Sequence, residues 1–364
     1  MLTSRTRYSL REPRLGEEPL LLFIKNTLGG CMSNISKGVG LFPTEPVGAM
    51  REYVQVAEGL GYDNVWFGDS QNIWRESGIA MGAAAVGTER IVFGTGVTNA
   101  VTRHRSLLAS QWATLAEFTG GRVALGIGTG DSSLRTMGLK PLKLAELEDA
   151  IEELRTLFRG ESVKEASSGA DFHLNYLTEP TPIPIYIAAS APKILEMSGR
   201  VADGVIVLVG TAPQFIEGAL KQIEKGAKAS GRTLADLRIV LWTPTAIQDD
   251  PKEARDLVRA HVSRVVIRPL PAEIDPELQG AVDRIRQSYD YYHHMDTEAD
   301  HADLVPDALV DLFALAGTPD ECRDRVKQIH AMGVDQISIV PFVRPGQSKT
   351  ATITQFAEIC ASLG

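Results

Sequence analysis

Eight short apolar segments alternate with eight helix-period segments along the 364-residue chain, and that alternation predicts an α/β fold of (β/α)8 type, a TIM barrel. Two further observations point the same way. The strand segments are near-continuous apolar and β-branched runs, as in parallel strands buried on both faces. No G-x-G-x-x-G follows the first strand and no Walker A pattern occurs, which disfavours a doubly wound open sheet, the runner-up.

Taken in order, the expected strands are Gly38–Phe42, Asn64–Gly68, Ile91–Val97, Arg122–Gly128, Ile183–Ala188, Gly204–Val209, Leu237–Ile247 and Gln336–Pro341. The expected helices are Glu45–Leu60, Ser77–Val86, Ser106–Phe118, Leu144–Phe158, Pro192–Ala202, Pro213–Ala229, Pro251–Val266 and Pro319–Met332. Several of these helices open on proline, and Gly61 and Gly333 stand just past the ends of two. Two segments break the alternation. Gly160–Pro182 is a polar excursion after the fourth strand and helix, and Pro269–Ala316 is a longer insertion before the last βα unit. Long insertions on a barrel tend to serve as lids or interface elements.

Residues 1–34 read as an extension outside the fold, leaving 35–364 as one barrel domain. Arg5, Arg7, Arg11 and Arg14 precede the apolar run Leu20–Ile24, but that run is shorter than the roughly 7–15 residues of a signal core. Glu12, Glu17 and Glu18 interrupt the basic stretch, so Met32 reads as a natural alternative start to Met1. No stretch has the 18 apolar residues of a membrane span, so no membrane role is expected. A net charge of −9 offers no basic excess to neutralise phosphates, which speaks against nucleic acid as a partner. Cys31, Cys322 and Cys360 are odd in number and far apart; they make no zinc pattern, no disulfide framework, and fit a cytoplasmic protein.

In such a barrel the chemistry sits at the C-terminal ends of the strands. Those ends read Gly68-Asp69-Ser70-Gln71-Asn72-Ile73-Trp74, Gly94-Thr95-Gly96-Val97-Thr98-Asn99, Gly126-Ile127-Gly128-Thr129-Gly130-Asp131 and Ala188-Ala189-Ser190-Ala191-Pro192. Small residues dominate, so backbone amides can approach a ligand and the mouth is expected to stay unfilled. Each glycine alone also suits a tight turn. Together the four ends suggest a floor for a flat ligand, and Ser190-Ala191-Pro192 before a helix suits a phosphate. Asp131 reads either as a helix cap or as a carboxyl placed to exchange a proton, and Trp74 either as core or as a pocket wall.

These stretches resemble the bacterial-luciferase-like superfamily of flavin-dependent oxidoreductases, and within it the branch that uses the deazaflavin coenzyme F420. The similarity is carried by Gly94-Thr95-Gly96-Val97, by Ser110-Gln111-Trp112-Ala113-Thr114-Leu115 leading to Gly126–Asp131, and by Pro184–Lys193 continuing to Ala202-Asp203-Gly204. The resemblance implies a bulge at Gly96-Val97 with a non-prolyl cis peptide behind the coenzyme ring, a cofactor contact at Asp69, and phosphate binding by Ser190 and Ala191. Thr129 falls among the cofactor-facing rim residues. Trp74 matches an active-site tryptophan and Asp131 a carboxylate proposed as proton donor, so Asp131, Trp74 and Ser70 form the catalytic set. Ser70 departs from the pattern, because deazaflavin members commonly carry histidine there, and it leaves room for the FMN branch.

The remaining candidates are looser. Arg103 and His104 follow the bulge and either reach a substrate or are simply solvated. Tyr289, Tyr292, His293 and His294 form either a helix surface or a lid wall facing substrate; adjacent histidines without carboxylate or cysteine spacing do not make a metal site. The leading expectation is hydride transfer between reduced F420 and a small-molecule substrate. The alternative is a two-component monooxygenase taking reduced FMN from a partner flavin reductase, with oxygen as co-substrate. A third reading is a non-catalytic flavin-binding subunit. Family members are usually dimers, which implies a homodimer.

Overall fold

In the computed structural model, which describes residues 35–288 and 302–364, the apolar runs form β1 (Ser36–Leu41), β2 (Asn64–Phe67), β3 (Val92–Thr95), β4 (Val123–Ile127), the two short strands β5 (Val163–Lys164) and β6 (Asp171–Phe172), then β7 (Ile185–Ala189), β8 (Gly204–Val207), β9 (Arg238–Ile247), β10 (Leu315–Gly317) and β11 (Gln336–Pro341). Eight of them close in the order β1-β2-β3-β4-β7-β8-β9-β11, every neighbour parallel. The expected barrel is present. β5 and β6 pair as a small antiparallel hairpin inside the polar excursion after the fourth strand and helix, and β10 pairs with the end of β9.

The helices are α1 (Val47–Gly59), α2 (Ser77–Ala85), α3 (Arg105–Thr119), α4 (Ser132–Arg135), α5 (Leu144–Phe158), α6 (Pro192–Val201), α7 (Pro213–Ala229), α8 (Pro251–Val266), α9 (Pro276–Ser288), α10 (Asp307–Phe313), α11 (Pro319–Ala331) and α12 (Thr350–Ala361). The outer ring consists of α12, α1, α2, α3, α5, α6 and α7, each packed on the next, with α11 against α12. One assignment needs correction. The sequence puts Pro251–Val266 in that ring and omits α12, whereas α8 turns over the C-terminal mouth. The His261 ring lies 6.2 Å from Phe42 beyond β1 and 5.1 Å from Phe342 beyond β11. The excursion from the barrel therefore begins at α8, not at Pro269. α8 is buried on several sides at once, because it is covered below by the barrel and on its flank by α10.

Below the mouth, the barrel interior is filled by large side chains. A β-carbon on Gly94 would lie 2.3 Å from the Trp66 ring, and one on Gly204 would lie 2.2 Å from Tyr186. On Gly40 and Gly96 the obstacle is Trp242, at 2.5 and 2.4 Å. These strand glycines make room for three large core rings, which occupy the barrel interior. At the N-terminal end, Trp66 Nε1 donates to Gln336 Oε1 at 3.2 Å, and Gln336 Nε2 donates to Asn64 and Ser36 at 2.8 and 3.0 Å. Such a satisfied polar layer stabilises the barrel floor. Among the described residues no helix is long and apolar enough to cross a membrane.

Candidate active site

The end of β2 delivers Asp69 into the corner it shares with β3. Asp69 is 5% exposed and accepts hydrogen bonds from Thr98 Oγ1 at 2.6 Å, Gln71 Nε2 at 2.9 Å, and Arg103 Nη1 and Nη2 at 2.5 and 3.2 Å. Arg103 bridges on to Glu76 at 2.6 Å. Burial opposes the Arg103 charge, but the hydrogen bonds and charges of Asp69 and Glu76 outweigh it and raise its pKa. Its fork is thus committed to the scaffold, which argues against the expected substrate contact. His104 is likewise engaged. Its Nδ1 faces Ser106 at the start of α3 and its Nε2 meets Glu165 at 3.0 Å, so it ties the β5–β6 hairpin to a helix N-terminus.

β3 ends in the link between Gly96 and Val97, and that peptide is cis, as the resemblance implied. Both residues are half-buried at the mouth while their neighbours Thr95 and Thr98 are buried. Thr95 Oγ1 donates to Gly126 O at 2.6 Å and Thr98 N to the same oxygen at 3.0 Å, which stitches the bulge to β4. Thr129 stands half-buried just beyond β4, its carbonyl accepting from Leu142 N at 2.9 Å. Gly130 has φ +89°, and a β-carbon there would lie 2.3 Å from Leu134, so only glycine turns the chain here.

The next residue, Asp131, does not behave as a cap: its side chain makes no capping bond to α4. It pairs instead with Arg135 at 3.0 Å, with Arg264 at 3.3 Å, and closely with Arg268. Burial alone would raise its pKa, but the three guanidiniums outweigh burial and hold it at about 2. A carboxyl this acidic has no proton to give near neutrality. The geometry therefore opposes the proton-donor expectation and makes Asp131 a fixed anion that ties α8 to the rim.

Ser70 is buried and shares a 2.9 Å hydrogen bond with Ser132 Oγ. Trp74 is buried against Phe42, ring centroids 4.6 Å apart, beside Gly68. Beyond β7, Ser190 is buried and Ala191 half-buried, and Ala191 offers α6 no side-chain cap, so the first-turn N–H groups of Lys193 and Ile194 remain available to an anion. The structure thus gathers Asp69, Ser70, Trp74, Gly96, Val97, Thr129, Asp131, Ser190 and Ala191 at one end of the barrel. His293, with Tyr289, Tyr292 and His294, lies outside the described residues. No group of His, Cys, Asp and Glu among the described residues could hold a metal.

Sequence reasoning missed the α8 contribution of His261, Arg264 and Arg268, and it missed Trp242. His261 and Arg264 stand at i and i+3 on one face of α8 and Arg268 follows just past its end, and that spacing was a usable signal.

The chain matches the luciferase-like monooxygenase family over residues 24–336. It is 30% identical over 320 residues to a 5,10-methylenetetrahydromethanopterin reductase of Methanolobus tindarius, covering 86% of this chain and 96% of the relative. It is 34% identical over 226 residues to an F420-dependent glucose-6-phosphate dehydrogenase of Beutenbergia cavernae, covering 56% of this chain and 65% of that one. Among solved structures, the coenzyme F420 dependent tetrahydromethanopterin reductase from Methanopyrus kandleri superposes with a TM-score of 0.72 at 25% identity, over 90% of this chain and 98% of the other.

Proposed function

This chain belongs to the luciferase-like monooxygenase family, and we propose that it is an oxidoreductase exchanging a hydride between the deazaflavin coenzyme F420 and a small organic substrate. The observation that carries the reading is the half-exposed Gly96–Val97 link sharing one barrel rim with the uncapped N-terminus of α6. A flat backbone surface suits a planar ring and free N–H groups suit a phosphate, so the residues present fit such a coenzyme. F420-dependent enzymes among the similar proteins support the choice of deazaflavin.

When bound, the coenzyme supplies two-electron hydride chemistry. The chain supplies the rest. Gly96, Val97 and Thr129 would hold the ring, and Ser190 and Ala191 with the first turn of α6 would hold the phosphate. Asp69, locked by Arg103 and Thr98, presents its corner to the ring side. Trp74, packed on Phe42, walls the pocket and keeps water from the reacting face. Ser70, bonded to Ser132 Oγ, would fix the loop after β2 beside the ligand, and Asp131 keeps α8 over the mouth. The enzyme acts in the cytoplasm.

Titration of the purified protein with F420 and with FMN tests this directly. Saturable F420 binding at micromolar levels is expected. Binding of reduced FMN alone, with oxygen uptake once a flavin reductase is added, would replace the reading with the monooxygenase one, which Ser70 in the usual histidine position favours.

The homodimer is assigned to the outer face of α2 and α3. Ile79, Val86, Leu107 and Phe118 are 68%, 48%, 59% and 60% exposed, a concentration of large apolar side chains that water-facing helices avoid. Phe118→Glu should shift the sedimentation coefficient from dimer to monomer; a wild type that sediments as a monomer removes the assignment.

A further inference from the structure

Trp242 is buried in β9, and its six-membered ring reaches across the barrel interior to two other strands. A β-carbon on Gly96 would meet Trp242 Cη2 at 2.4 Å, Cζ3 at 2.6 Å and Cζ2 at 3.3 Å, and those three atoms are its nearest obstacles. On Gly40 in β1 the three nearest atoms again belong to this ring, at 2.5, 2.7 and 3.1 Å. From above, Phe42 meets the indole edge-on at 6.3 Å. The ring is thus wedged between β1 and the Gly96–Val97 link, with an aromatic side chain closing it in.

We propose that Trp242 is a positioning residue for the coenzyme: it sets the height of the Gly96–Val97 backbone from beneath, without touching the ligand itself. The inference rests on the reading that a planar coenzyme lies on that backbone. The physical argument is one of close packing. Interiors at native density transmit displacement instead of absorbing it, so the level of a link resting on an indole follows the indole. β4 restrains the same link sideways, through the two bonds to Gly126 O and through Val97 against Gly128, where a β-carbon would stand 3.1 Å from Val97 Cγ2. Gly96 N also donates to Phe67 O in β2 at 2.8 Å, and on the barrel-interior side the link faces Trp242.

The test is a size exchange. Gly96→Ala should raise the Kd for F420 about tenfold and move the absorption band of the bound coenzyme, since the added methyl has nowhere to go but into the indole. Trp242→Leu should relieve that clash, so Gly96→Ala/Trp242→Leu should bind more tightly than Gly96→Ala alone, a coupling that separate structural damage would not produce. Gly40→Ala presses the same ring from another strand and should raise Kd in the same direction. Trp242→Phe, the conservative replacement, should keep the fold and change Kd only a few-fold. Thermal unfolding of each variant is read alongside. If Tm falls while Kd and the absorption band of the folded protein stay at wild-type values, or if the two substitutions simply add, Trp242 is core packing and the inference fails. A wild type that binds neither F420 nor FMN overturns the underlying reading as well, and so marks that failure apart from this one.

Discussion

Asp69 and Asp131 are two carboxylates on one barrel rim, both held by guanidinium groups, and they do different things. The partners of Asp69 come from the loops after β2 and β3, none more than 34 positions away. Asp131 is reached by Arg268 across 137 positions and by Arg264 from α8, with Arg135 one turn away on its own helix. The first pair knits adjacent strand ends into a rigid corner. The second fastens an inserted helix over the mouth. The same chemistry either stiffens a scaffold or attaches a cover, and contour distance decides which.

Removing each anion separates the two cases. Asp69→Ala strips a buried carboxylate from Arg103 and from Thr98, and should destabilise the chain by about 3 kcal/mol in chemical denaturation. The loss should come without new protease cleavage in the insertion; cleavage there would mean that the corner, too, holds the cover. Asp131→Asn should lose less, about 2 kcal/mol, because the site is partly solvated, and should expose the 267–276 segment to limited proteolysis.

Acid titration sharpens the same contrast. Folding lowers the Asp131 pKa from 3.8 to about 2, so its contribution is complete above about pH 4 and disappears as pH falls through 2. Wild type should lose about 2 kcal/mol across that window relative to Asp131→Asn, which carries no group to titrate there. Parallel stability curves would show that the carboxylate does not secure α8. The smallest effect belongs to His104, whose ring is exposed, caps α3, meets Glu165 and lies 5.3 Å from the Phe172 ring. His104→Ala should destabilise by about 1 kcal/mol and leave coenzyme affinity at the wild-type value. An affinity change of tenfold would return His104 to the ligand pocket.

The rim was legible in sequence where it is written in neighbouring residues. Through the family resemblance, Gly94-Thr95-Gly96-Val97 marked the cis link, and Ser190-Ala191-Pro192 marked a helix start that has no side-chain cap. Asp131 shows the limit. Its place at the end of β4 was read correctly, but its ion pairs come from Arg264 and Arg268, far along the chain, and these hold its pKa at about 2. Gly94 and Gly96 show the limit for shape: they were read as room for a ligand, and Trp66 and Trp242 stand against them from inside the barrel.

By itself, then, the sequence determined the alternating strands and helices and the closure into a parallel barrel. Periodicity, turn glycines and helix starts act over a few residues, and the chain states them directly. Only the tertiary structure decided that α8 lies over the mouth, which carboxylate meets which arginines, and which ring supports the Gly96–Val97 link. Those outcomes depend on charge and volume matched between segments that are distant in sequence, and such matches exist only once the barrel has closed.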